Sequence, residues 1–279
     1  MRKAVWWLIA AAVASQIFLA IRFFGFLTGD DVEVLSEAFR RATGFNYQPW
    51  DVRNLFVPDF LVAPFVYVGG LRAATIPFIA LTALTIWLVY RLALRWSGDE
   101  RAAFAAALLF ALHWIPLGFG STVYPRTLAT ACVVAAALIV DRYPFAAGAL
   151  VGIAFADRFS EIVFLIPLII IARRRIAVLT GAAVAILVTV GLYDWITWGT
   201  PFSSAIKFGH LTLVEPDFAS RVKYQSPLWY LLNIVRWCAP TLLPLLYFAR
   251  RSFRWSFIII PLLALSFVRH KELRYLQAV

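Results

Sequence analysis

The sequence predicts an all-α, polytopic membrane protein, and three observations predict it. The 279 residues are 62% hydrophobic and 15% charged, whereas soluble domains hold about 45–50% apolar and about 25% charged residues. Apolar runs of spanning length recur along the whole chain. Short basic loops separate them at regular intervals, the pattern that orients a protein in a bilayer. The net charge of +11 is accordingly assigned to topology and not to a nucleic-acid partner. The mean hydropathy of +0.81 leaves no room for a soluble domain of useful size.

About eight to nine membrane segments are expected, at residues 4–24, 71–92, 102–117, 124–140, 145–172, 176–193, 228–248 and 255–267. The first follows Arg2 and Lys3 and is too long for the apolar core of a signal peptide, about 7–15 residues, so it is read as a retained span. Arg91, Arg95, Arg101, Arg142, Arg173, Arg174, Arg175, Arg250, Arg251 and Arg254 continue the basic series on the cytoplasmic side. The series alternates correctly only if 145–172 begins and ends on that side. Its middle, Asp157-Arg158-Phe159-Ser160-Glu161, is a polar break, so a hairpin of two short helices is expected, with one long span as the alternative. Trp6, Trp7, Trp195, Trp198, Trp229 and Trp255 fall near the expected boundaries, as an aromatic belt does.

This topology places the N-terminus in the cytoplasm and three loops on the opposite face: 25–70, 194–227 and 269 onward. The whole chain, 1–279, is read as a single integral-membrane domain, with 25–70 as its first external loop. In that loop a helix is expected over 30–43, with acidic residues in its first turn, Arg40 and Arg41 in its last, and Gly44 ending it. Its stripe of Val34, Leu35, Ala38 and Phe39 is expected to lie in the membrane interface, and 60–68 to be interfacial or re-entrant.

Two charged clusters fall on the non-cytoplasmic side. Asp30 and Asp31 follow the first span, where one carboxylate can act as a general base; the alternative is a pair of helix N-terminal charges. With Glu33 they could also bind a divalent cation, but no further oxygen cluster accompanies them and no metal is expected. The second cluster is His270, Lys271, Glu272 and Arg274. Arginine and lysine there suit a phosphate or pyrophosphate, with Glu272 orienting them; the alternative is contact with lipid head groups. Cys132 and Cys238 lie in apolar segments, and His113 and His210 are isolated, so neither a disulfide framework nor a zinc site is expected.

Taken together these motifs resemble the GT-C superfamily of membrane glycosyltransferases, and most closely its lipid-phosphate-mannose-dependent mannosyltransferases of N-glycan and GPI-anchor assembly. His270-Lys271-Glu272-Leu273-Arg274-Tyr275 looks like that family's HKE-x-R-[FY] signature. The stretch 29–45 resembles its acidic start, later Glu (Glu37) and closing Gly-aromatic. Trp50-Asp51-Val52-Arg53-Asn54 resembles a W-[DE]-x-x-[IV]-R-S element, with Asn54 in place of Ser. Tyr124-Pro125-Arg126-Thr127-Leu128, Asp157-Arg158-Phe159, Trp198-Gly199-Thr200-Pro201-Phe202 and 226–231 match further elements in family order.

The resemblance implies inverting transfer of a sugar, mannose in the family, from a polyprenyl- or dolichyl-phosphate donor to a hydroxyl of a lipid-linked glycan on the non-cytoplasmic face. It implies catalysis by Asp30, with Asp31 beside it. It implies donor-phosphate contacts from His270, Lys271, Arg274, Arg126 and Arg158, with Glu37, Arg53 and Glu272 as acceptor or structural polar groups. No cofactor is implied, since the lipid-phosphate sugar is a co-substrate. The membrane would be the plasma membrane in a prokaryote and the endoplasmic reticulum in a eukaryote. The family continues with spans beyond the HKE motif, and such spans are expected to be lacking here. The rival reading is a lipid or lipid-linked-sugar flippase without transferase activity, which would also use a broken helix and intramembrane charges.

Overall fold

The computed structural model describes residues 2–23, 29–123, 126–215, 225–230, 232–233, 254 and 256–267. All regular elements among them are helical. They are α1 (Arg2–Phe23), α2 (Gly29–Thr43), α3 (Pro58–Gly69), α4 (Leu71–Ser97), α5 (Glu100–Leu112), α6 (Trp114–Phe119), α7 (Thr127–Ile139), α8 (Pro144–Asp157), α9 (Phe159–Ile171), α10 (Arg175–Trp198), α11 (Ser203–Leu213) and α12 (Ser256–Phe267). Among the described residues three helices are long and apolar enough to cross a membrane: 3–23 of α1, α4 and α10. The protein is therefore membrane-associated. Helices α3, α7, α8, α9 and α12 are apolar but shorter than a span. The expected segment 228–248 lies almost wholly outside the described residues.

Helix α1 leaves most of its surface exposed and buries Val5 and Ile9 against Ile86 and Tyr90 of α4 and Ala103, Ala107 and Ala111 of α5. Gln16, a polar residue in this apolar helix, is buried and donates to the carbonyls of Pro116 (3.1 Å) and Leu117 (3.0 Å). That contact ties the first helix to a chain reversal about 100 residues away.

The expected span 102–117 is two helices. Helix α5 stops at Leu112, His113 is extended (φ −65°, ψ 137°), and its ring nitrogen accepts the Ile115 amide at 3.4 Å to start α6. Pro116 is the physical reason. It has no N–H to give the carbonyl four residues back, and its ring clashes with a continuing helix.

Helices α8 and α10 approach until their backbones touch. A Cβ on Gly148 would lie 1.9 Å from the Val178 carbonyl oxygen, and one on Gly181 would lie 1.9 Å from that of Phe145. Small residues are the usual means by which apolar helices gain van der Waals contact in lipid, where no hydrophobic force drives them together. Helix α9 then folds back on α8. Ala147 and Val151 at the start of α8 share one buried cluster with Leu168 and Ala172 at the end of α9. The chain between them turns at Arg158, which is extended (φ −151°, ψ 113°). The hairpin with a polar tip is thus present, and α7 packs along it through Ala129, Cys132 and Val133.

Helix α2 differs from its expected setting. Its stripe of Val34, Leu35 and Ala38 is covered by protein, Val62, Ala63 and Val66 of α3 and Ala74 and Phe78 of α4, and does not face a lipid interface. The stripe is matched by an equally apolar α3, and burying both faces on each other removes more apolar area from water than leaving either at a head-group boundary. Gly44 ends the helix at φ 73°, as expected.

Candidate functional site

The hairpin tip supplies two groups of charges that point in different directions. On one side Asp157 accepts the Ala129 amide at 3.0 Å, placing a carboxylate on the N-terminal turn of α7. Glu161 pairs with Arg126 at 3.2 Å, and both side chains are sealed, 4% and 3% exposed. On the other side Arg158 reaches across to α2, with its guanidinium 3.7 Å from the Asp30 carboxylate. Arg53, from the loop after α2, donates to the other oxygen of Asp30. These three side chains are 14–22% exposed, so the cluster is held and yet open to a ligand.

Three residues expected from sequence, Asp30, Arg53 and Arg158, therefore meet, although 23 positions separate the first two and the third lies in another hairpin. Arg126 pairs with Glu161, and both are enclosed. Asp31 is fully buried beside Asp30. Glu37 is turned inward and takes two hydrogen bonds from Arg40, at 2.5 and 2.9 Å. His270, Lys271, Glu272 and Arg274 lie outside the described residues.

Two further carboxylates hold the first loop against α10. Asp194 accepts from the Asn54 amide (3.0 Å), the Ser204 amide (2.8 Å) and the Ser204 hydroxyl (2.6 Å), while Asn54 also donates to the Thr189 carbonyl (3.0 Å). Asn54 thus anchors the Arg53 segment to α10. Asp59, at the start of α3, accepts from the Tyr193 hydroxyl at 2.5 Å under the rings of Phe56 and Phe60. Burial, reinforced by the negative charge of Glu37, pushes the Asp59 carboxyl up to about 6 despite the Tyr193 hydrogen bond. Sequence reasoning missed Asp59 and Asp194. A lone acid inside an apolar run, as both are, is the signal that could have found them.

Asp30 stands where it does because α2 is fixed on both sides. Its apolar face is buried on α3 and α4, and the loop leaving it is tied to α10 through Asn54. Among the described residues no group of three or more His, Cys, Asp or Glu side chains is placed to hold a metal. What the cluster offers chemically is one carboxylate able to take a proton and two guanidiniums able to bind an anion. Comparison with family models, with curated proteins and with solved structures gives no match.

Proposed function

We propose that the protein is an inverting glycosyltransferase that moves a sugar, mannose by the motif resemblance, from a polyprenyl- or dolichyl-phosphate donor to a hydroxyl of a lipid-linked glycan or similar acceptor. The observation that carries this reading is the half-open Asp30 carboxylate set between Arg53 and Arg158. An acid–base group adjacent to anion-binding arginines is what sugar transfer from a lipid phosphate requires.

In this mechanism the acceptor hydroxyl gives its proton to Asp30 as its oxygen bonds to the anomeric carbon. The bond from that carbon to the phosphate oxygen breaks on the opposite face, and the electron pair leaves with the phosphate. The arginines have a second task here. Arg158 holds Asp30 only loosely, so an arriving donor phosphate would draw this guanidinium toward itself. The carboxylate would then be left less encumbered as a base, and the guanidinium would sit where negative charge develops. His270, Lys271 and Arg274 complete the phosphate contacts in this reading.

The proposed topology is multi-pass, with the N-terminus cytoplasmic and the Asp30 cluster on the opposite face. What supports a crossing between two faces is the length of α4. Its start packs against α2, and its end carries Arg95, paired with Asp141. The 27 residues of this helix put about 40 Å between the two ends, a full bilayer.

The test is transfer in proteoliposomes, with labelled polyprenyl-phosphate-mannose and a crude lipid-linked acceptor pool. Transfer that disappears in Asp30→Ala and shows a raised donor KM in Arg158→Gln supports the reading. Transfer unchanged by Asp30→Ala sinks it. The buried charges at the break of the α8–α9 hairpin favour one rival, a flippase. It would move the labelled lipid across the bilayer and form no new glycosidic bond.

A further inference from the structure

Helix α11 supplies no member of the Asp30 cluster, yet it touches both chain segments that bring arginines there. The Lys207 ammonium donates to the Asp51 carboxylate at 2.6 Å. Asp51 lies in the turn that carries Arg53, closed by the Arg53 amide donating to the Trp50 carbonyl at 3.1 Å. The Phe208 ring sits 5.3 Å from that of Phe159, the residue that follows Arg158. Phe159 in turn meets Phe155 of α8 at 5.1 Å. Consecutive residues point about 100° apart on a helix, so Lys207 and Phe208 can engage two segments at once.

The start of α11 is fixed to the same place. Asp194 accepts from the amide and the hydroxyl of Ser204 and also from Asn54. Arg53 is therefore tied on both sides in the chain, through Asp51 to the middle of α11 and through Asn54 to the carboxylate that holds its beginning. Phe202, just before the helix, has a left-handed backbone (φ 59°), which is strained for a bulky side chain. Its ring packs so closely on Gly191 that a Cβ there would lie 2.7 Å from it. Such a backbone persists where its surroundings over-determine it. Core packing does not account for α11, since among its described residues only Ser203 and Ser204 are buried.

We propose that α11 is a brace that sets the spacing of the Arg53 and Arg158 guanidiniums, with Lys207 and Phe208 as its positioning residues. The inference rests on the reading of these two arginines as anion-binding groups. A phosphate held by two guanidiniums requires them at one separation. Asp30 cannot keep that separation by itself, because an arriving phosphate competes with it for the same N–H groups. Helix α11 holds each segment through a neighbour of the arginine and not through the guanidinium. The spacing therefore survives the exchange of partners at Asp30.

The test pairs donor kinetics with a binding measurement that needs no turnover. In proteoliposomes with labelled polyprenyl-phosphate-mannose, Phe208→Ala should raise the donor KM about two- to tenfold, the range of a lost ring pair. Lys207→Gln should raise it about two- to fivefold, as an exposed ion pair allows. The acceptor KM should stay at the wild-type value in both. A variant that merely unfolds loses active protein, so its kcat falls while both KM values hold. The charge swap Asp51→Lys, Lys207→Asp should return the donor KM to near wild type, and Phe208→Tyr, which keeps the ring, should match wild type. His210→Gln removes an ion pair with Glu215 at the C-terminal end of the same helix and should change nothing. The second measurement is retention of polyprenyl phosphate, without sugar, by the full chain in detergent, read by native mass spectrometry. Retention should weaken by the same factors in Phe208→Ala and Lys207→Gln, and by more in Arg53→Gln and Arg158→Gln. If the arginine variants lose the lipid phosphate and the α11 variants keep it, the brace is overturned and the anion site stands. If the arginine variants bind as wild type, the anion site is absent and both readings fall.

Discussion

Arg126 and Arg158 both meet carboxylates at the tip of the same hairpin, and the two ion pairs differ in their access to water. Arg126 and Glu161 are sealed between α7 and the turn of α9. Arg158 and Asp30 face partly outward and share Arg53. The lesson concerns exchange. A sealed pair cannot release its partner without leaving a charge in a medium of low dielectric, so it serves to fix the tip. An open trio can trade one partner for a ligand, because water and the third member cover the vacancy. The same segment thus supplies both the mount and the moving part.

The largest expected effect lies on the open side. Asp30→Ala should lower sugar transfer by about 10²–10⁴-fold, the usual contribution of a positioned acid–base group. Its melting temperature should stay close to wild type, since a partly exposed pair contributes about 0–1 kcal/mol. A collapse in stability with the transfer rate intact would reverse the roles assigned to the two pairs.

The sealed side should answer in the opposite sense. Arg126→Ala strands Glu161 and should destabilise the fold by about 3–5 kcal/mol, read as lost melting temperature in detergent. The double variant Arg126→Met, Glu161→Leu should recover most of that. If the single variant melts like wild type, the pair is not the mount.

A third prediction uses pH. The Asp59 carboxyl is raised in the folded protein, to about 6, so the folded state holds its proton more tightly than the unfolded chain does. Its stabilising contribution is complete below the unfolded value near 4 and is lost as pH rises through about 6. Wild type should therefore lose about 1–2 kcal/mol of stability across that window relative to Asp59→Asn, which has no proton to release. Parallel pH profiles for the two proteins would refute the assignment.

The smallest effect should come from Arg95 and Asp141, a pair as short as 2.5 Å but well exposed. Asp141→Asn should shift stability by less than about 1 kcal/mol. That outcome would show that exposure, not distance, separates the pairs in this protein.

Much of the frame was legible in the sequence. The apolar lengths gave α1, α4 and α10, because hydrocarbon thickness acts on each segment separately. The charges of α2 agree with its dipole, and Gly44 closes it, so its limits were readable from the residues within it. The polar break at 157–161 announced the hairpin, since five consecutive residues with three charges do not continue a buried helix. The division at His113 escaped notice, although Pro116 was visible, because the composition on both sides of it is equally apolar.

What the sequence by itself determined is a membrane-associated helical chain, with acidic and arginine-bearing segments as candidates for chemistry. What only the tertiary structure decided is which of them meet. Hydropathy and helix periodicity act over a few turns and fix where a segment lies. They carry no information on whether Arg158 faces Asp30 or Arg126 faces it. That choice follows from the backbone contact at Gly148 and Gly181, from the burial of α2 on α3 and α4, and from the anchoring of Asn54 by Asp194. Each of these is a packing event between residues distant in the chain.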